Sequence, residues 1–202
     1  MKKLLFLLVF ISLISFGQKN ESVWKNSMYE QYDYNNFSKL EIVNAKIDFD
    51  NINYDLFSAS IFYATNFQRK KFKKKEFKYS IALNLAAQGH SEDMVNYDFY
   101  DHRSKVRHKR NLRDRMEIVG IEGGGFAENI HNSFAKEAEP TYWSFASSIV
   151  QGWMNSKGHR GAILNTKYKY LGCGVYYYVN NKWLDYKWVK TTQNFSSSDS
   201  KP

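Results

Sequence analysis

The sequence predicts an α+β domain in which helices cover a small antiparallel sheet. Two observations carry this expectation. Apolar residues recur at helical spacing in several segments before Met154. The chain then closes with two runs rich in Tyr, Val, Trp and Thr, separated by Asn180-Asn181, which read as the strands and turn of a hairpin. Helices and a hairpin that each carry an apolar face bury it against one another in layers.

Taken in order, Met1-Lys2-Lys3, the apolar run Leu4 to Ile14 and Ser15-Phe16-Gly17 have the make-up of a secretory signal peptide cleaved near Gly17. The run is shorter than the ~20 residues that cross a bilayer, and no later stretch is apolar enough to do so. Residues 1–17 are therefore expected to direct secretion, to the periplasm or cell envelope or beyond. Residues 18–53, rich in Asn, Tyr, Asp and Ser without a sustained period, read as an extension packed on the domain at 54–195. Leu56, Ile61, Phe62 and Phe67 suggest an amphipathic first helix ending near the lysines after Arg69. Ala82, Leu85, Ala86, Met94 and Val95 suggest a second within Tyr79 to Tyr97. Asn111 to Val119 is a short charged helix stopped by Gly120, and the triple glycine 123–125 turns the chain into an extended piece holding Glu128. Phe145, Ile149, Val150 and Trp153 form a helical stripe over 144–154. Asn155-Ser156-Lys157-Gly158 is turn chemistry, which presents His159 just after a helix end. Strands over 171–179 and 183–195 follow, and 196–202 is expected to be a disordered tail.

Five Trp, 15 Tyr and 15 Phe supply one aromatic core, and Cys173, the only cysteine, excludes an internal disulfide. Between Gly172 and Gly174, Cys173 reads as a small buried hydrophobe with no chemical role. The formal charge of +9 falls to +7 once Lys2 and Lys3 leave with the acid-free leader. Much of the excess lies in Arg69 to Lys75 and Arg103 to Arg115. These are read first as solvated faces and second as attractors of an anionic envelope polymer or lipid. Nucleic acid is not an expected partner, because an exported chain here carries no nucleic-acid motif.

Three stretches carry the chemistry: Tyr100-Asp101-His102, Ala127-Glu128-Asn129-Ile130 and Trp153 to Arg160. Two neutral imidazoles and a carboxylate can ligate a divalent cation, or act as base and orienting partner around a polar substrate. With Ala86 to Met94 and Thr192-Gln193-Asn194-Phe195, these stretches resemble the CAP superfamily, also called SCP, over roughly Tyr54 to Phe195. The family includes cysteine-rich secretory proteins, antigen 5 and pathogenesis-related proteins, and the likeness is to its exported bacterial branch. The resemblance implies an α-β-α sandwich with a central cleft, at which well-known members place two His and two Glu. His102, Glu128 and His159 match three of the four. At the fourth position this chain has Ser156, which removes a charge and a strong metal ligand.

Several chemical readings follow for the cleft residues His102, Glu128, Ser156 and His159. A cation such as zinc, bound by His102 and His159 at about 2.0 Å, with Glu128 or water completing its shell, is one. No His-Glu-x-x-His run supports a zinc protease. Hydrogen bonding that merely pins loops together is another. A hydrolase, peptidase or esterase, using His102, Glu128 and His159 is a third, including a triad of Ser156, His159 and Glu128. His90, His108 and His131 read as packing or surface residues. Tyr176, Tyr177, Tyr178, Trp183, Tyr186 and Trp188 read as core and sheet packing before a lipid groove.

Overall fold

The computed structural model describes residues 24–200, so the expected leader at 1–17 lies outside the described residues. Its centre is a four-stranded sheet in the order β1-β3-β4-β2, with β1 at Lys78–Tyr79, β2 at Phe126–Phe134, β3 at Tyr170–Tyr178 and β4 at Trp188–Ser196. The hairpin β3–β4 is antiparallel as expected, and the extended piece holding Glu128 pairs antiparallel with β4 as β2. The two-residue β1 adds a parallel edge to β3, so the sheet is mixed. The second hairpin strand begins at Trp188 and not at Trp183. Residues before it form a turn that leaves Trp183 and Tyr186 exposed.

Helices lie on both faces. Short helices α1 (Tyr34–Phe37) and α2 (Glu41–Asn44) belong to the N-terminal extension, which buries Trp24, Phe37 and Val43 in the main core. Helix α3 (Tyr54–Lys71) starts where the Asn53 side chain accepts from Leu56 N at 3.0 Å, and Arg69, Lys70 and Lys71 face its negative C-terminal end. The expected single apolar stripe is corrected: every residue from Leu56 to Asn66 is buried, because the sheet, the extension and a later helix enclose α3. Ser60 and Thr65 are tolerated there because their hydroxyls donate to Leu56 O and Ile61 O, one turn back.

On the opposite face lies α4 (Ile81–Asn96), which begins two residues later than expected because Tyr79 is in β1. Leu85, one of the apolar residues whose spacing suggested this helix, is 60% exposed. The helix rests directly on the backbone of β3. A Cβ at Gly172 would lie 2.0 Å from Asn84 N, and one at Gly174 would lie 2.2 Å from Gln88 N. That close approach lets Gln88 complete the strand ladder. Its Oε1 accepts from Val175 N at 3.1 Å and its Nε2 donates to Val175 O at 3.0 Å. Cys173 points to the other face and is buried, and burial pushes its thiol pKa up.

The remaining helices are α5 (Leu112–Ile118), α6 (Tyr142–Asn155) and α7 (Lys157–Leu164). Residues 197–199, within the segment expected to be a disordered tail, make hydrogen bonds to the rest of the domain. Ser198 Oγ donates to Gly123 O at 2.6 Å, and Ser80 bonds Asp199.

Candidate functional site

Glu128 lies on β2, the strand next to β4, and its cross-strand partner is Asn194, which in turn faces Gly172 of β3. This row runs beneath α4, so the glycine contact sets how near α4 comes to Glu128. The carboxylate is almost completely enclosed, with 3% of its side chain exposed. Oε2 accepts from Arg115 Nη2 at 2.7 Å, and the orientation that satisfies the Asn194 amide places its nitrogen 3.1 Å from the same oxygen. Oε1 accepts from His102 Nδ1 at 2.8 Å and lies 3.8 Å from His90 Nε2.

The loop carrying His102 is tied down from two helices. His90 on α4 is fully buried, and its Nε2 donates to Asp101 O at 3.1 Å. Arg115 on α5 donates to His102 O at 3.1 Å and to Lys109 O at 3.0 Å. The His102 side chain itself is 55% exposed. Because Glu128 accepts at Nδ1, Nε2 is the ring nitrogen left without a hydrogen-bond partner among the described residues.

Charge follows from this geometry. Burial favours the protonated form of Glu128, but the His102 hydrogen bond and the Arg115 guanidinium outweigh it and hold the carboxyl below the usual range. The hydrogen bond to Glu128 raises the His102 pKa, against the opposing effect of burial. Burial pushes His90 down to about 4, so its ring is neutral at pH 7. We expect NMR titration to separate these two imidazoles, with His102 above the ordinary 6.5 and His90 near 4. The stability effects have opposite signs. The His102 contribution is present below pH 6.5 and is lost as pH rises through its raised folded pKa. For His90 the unfolded state takes up the proton first, so acidification from 6.5 towards 4 destabilises the fold.

His159 reaches the same edge from the other side. Successive residues of β2 point to opposite faces, and Asn129 therefore faces α6 and α7. Its Nδ2 donates to His159 O at 3.2 Å and to Gln193 Oε1 at 3.1 Å, and Trp153 Nε1 donates to Ile130 O at 3.0 Å. The Glu-Asn-Ile and Trp-to-Arg stretches are thus joined by hydrogen bonds. His159 is half-buried; burial and the nearby His102 charge lower its pKa. It lies within the first turn of α7, not in a loop after a helix, because Ser156 alone interrupts the helical path between α6 and α7.

The structure brings His102 and Glu128 into contact and leaves Ser156 apart. Among the described residues the Ser156 hydroxyl makes no hydrogen bond, and Glu128 bonds His102 rather than His159. Neither of the two hydrogen bonds that a Ser156-His159-Glu128 triad requires is formed among these residues. Glu128 is also unsuited to complete a metal shell, since both oxygens already accept hydrogen bonds. Among the described residues no three His, Cys, Asp or Glu side chains converge as ligands. His102 and His159 remain the candidate nitrogen ligands, near enough that the charge of His102 lowers the pKa of His159.

His90, Arg115 and Asn194 are the site residues that the sequence reading did not assign. His131 also belongs to the neighbourhood: burial and His159 lower its pKa, and it packs over Gly152. His108 is exposed, as expected.

Comparison with known proteins agrees with this architecture. The model of the cysteine-rich secretory protein family, CAP, matches residues 62–189. YlbC of Bacillus subtilis (strain 168), described as an uncharacterized membrane protein, is 37% identical over 97 residues, covering 47% of this chain and 25% of that protein. YkwD of the same organism is 32% identical over 92 residues, covering 46% and 32%. The chain thus spans about a quarter to a third of the length of these curated relatives. The crystal structure of an extracellular protein containing an SCP domain from Bacillus anthracis is similar with a TM-score of 0.55 and 28% identity, over 72% of this chain and 41% of that one. No helix among the described residues is long and apolar enough to cross a membrane. With the family model matched over more than half its length, the chain belongs to the cysteine-rich secretory protein (CAP) family.

Proposed function

We propose that this protein is an exported CAP domain whose edge site, formed by His102, Glu128 and His159, binds a ligand through imidazole nitrogen, with a divalent cation such as zinc as its occupant. The observation that carries this reading is His102. Its half-exposed ring is gripped at Nδ1 by a buried carboxylate, while Nε2 has no partner among the described residues. A carboxylate that fixes the tautomer and orientation of a histidine from behind is the outer-shell arrangement of many metal-binding imidazoles. Glu128 acts here as the orienting group, His102 and His159 as the ligands, and Arg115 as the cation that keeps Glu128 ionised. A bound cation would supply Lewis acidity towards a carbonyl, phosphoryl or water oxygen.

A hydrolase using the same three residues is the competing reading. It differs in requiring turnover. Calorimetric zinc titration of the wild type and of the H102A/H159A double variant, beside a peptide and ester hydrolysis screen, separates them. Binding should be saturable in the wild type, lost in the double variant, and stronger as pH rises through the His102 pKa, because the metal displaces a proton. Turnover that vanishes with the two histidines would favour the hydrolase. Zinc affinity unchanged by their loss would remove the site.

A further inference from the structure

The charged run Arg69 to Lys75 is not a uniform solvated face, because its first member turns inward. Arg69, in the last turn of α3, is only 2% exposed. Its Nε donates to Lys75 O at 2.6 Å, and its Nη1 donates to Ile163 O at 2.6 Å and Asn165 O at 3.0 Å. The guanidinium lies 3.7 Å from the Phe77 ring centroid. These contacts tie α3 to the end of α7, yet among the described residues they leave Nη2 without a hydrogen-bond partner. No carboxylate of the described residues pairs with this buried cation. Burial lowers its pKa to about 10, so it stays charged at neutral pH.

Arg69 lines a cavity of about 380 Å³, within the ~300–1,000 Å³ range of small-molecule sites. Lys75, Lys78 and Lys169 line it too, and none of their ammonium groups has an ion-pair or hydrogen-bond partner among the described residues. Four cations face one carboxylate, Glu76, whose pKa is raised by burial. A buried guanidinium is costly without an anion, and its planar donors suit a carboxylate or phosphate. Tyr170 on the wall is shared with a neighbouring cavity of about 530 Å³, which extends over Tyr79 and Tyr29. An anionic group held at Arg69 could therefore carry a larger, uncharged body across aromatic rings.

We propose that this cavity is an oxyanion subsite for an acidic saccharide, its carboxylate or phosphate held by Arg69 with Lys75, Lys78 and Lys169, and its sugar ring lying against Tyr170. The recessed position of Arg69 favours a single sugar acid entering from solution over the headgroup plane of a bilayer. The site shares no residue with the His102 edge, so the two proposals fail independently.

Methyl glucuronide is the probe, with methyl glucoside as its uncharged counterpart and phosphatidylglycerol vesicles as the membrane alternative. Calorimetry on the full chain should show methyl glucuronide binding that weakens with salt and falls at least about tenfold in K75Q/K169Q, while methyl glucoside binds far less. Tyr170→Leu should weaken the saccharide but not inorganic phosphate. Thermal melts check that each variant is folded. Methyl glucuronide affinity unchanged in K75Q/K169Q, or equal affinity for methyl glucoside, overturns the proposal. So does vesicle binding through the same lysines in the absence of saccharide binding.

Discussion

Replacing Gly172 or Gly174 by alanine is expected to destabilise the fold by about 3 kcal/mol or more, the upper end of what overpacking costs. The added methyl would meet backbone atoms and not the end of a flexible side chain: Asn84 N and Leu83 C at 2.0 and 2.2 Å in one case, Gln88 N and Ala87 C at 2.2 and 2.3 Å in the other. Helix α4 would have to lift from β3, breaking the paired Gln88 bonds to Val175 and the Ser91 to Thr192 hydroxyl contact. The same shift would draw His90 away from Glu128, so the site should be disturbed along with the core. Gly161 in α7 provides the control. A Cβ there meets nothing within 4 Å, so G161A should be neutral or stabilise by up to about 1 kcal/mol through helix propensity. Denaturant unfolding of the three variants measures both effects. A loss below about 1 kcal/mol at Gly172 and Gly174 would contradict the direct seating of α4 on the strand.

Removing the Glu128 carboxylate should cost a similar amount for a different reason. Arg115 has 2% of its side chain exposed and Glu128 has 3%, so E128A leaves a buried guanidinium without its counter-charge, a loss of about 3–5 kcal/mol. Part of that cost belongs to the orphaned charge and not to the ion pair itself. R115M/E128L should therefore be less destabilised than the sum of its single variants, although Arg115 also supports the carbonyls of Lys109 and His102. E128Q is the gentler probe. It retains volume but cannot stabilise a protonated His102, whose pKa should fall from its raised value towards 6.5. A His102 titration unmoved in E128Q would sever the link between the buried carboxylate and the exposed ring. The pH dependence of Glu128 runs opposite to that of His102: its contribution is present above its unfolded pKa and lost as pH falls through its depressed folded value.

The layered fold was legible because its signals are local. Helical spacing marked α3, α4 and α6, and Asn180-Asn181 between aromatic runs marked the hairpin. Boundaries failed where tertiary contacts decided them. Asn155-Ser156-Lys157-Gly158 has turn composition, yet only Ser156 leaves the helical path. The apolar stripe of α3 understated its burial, because enclosure from several sides depends on an extension with no period of its own. His102 and Glu128 were found from their motifs. Their partners were hidden by misleading neighbours: Arg115 lies in a helix with other charged residues, and His90 sits beside Ser91 and Glu92. A usable signal existed for both. His90 falls between Ala86 and Met94 on the buried face of α4, and Arg115 lies three residues after Leu112, on the side packed towards the sheet.

Glu128 is expected to hold His102 with Nδ1 protonated, so that Nε2 is available to an incoming ligand. Nitrogen-15 NMR of the His102 imidazole, recorded above its pKa with and without zinc, tests this most directly. The free protein should show the neutral Nδ1–H tautomer and a zinc-dependent shift of Nε2, both lost in E128A, with a thermal melt verifying that the variant is folded. An Nε2–H tautomer, or an Nε2 resonance indifferent to zinc in the wild type, would contradict it.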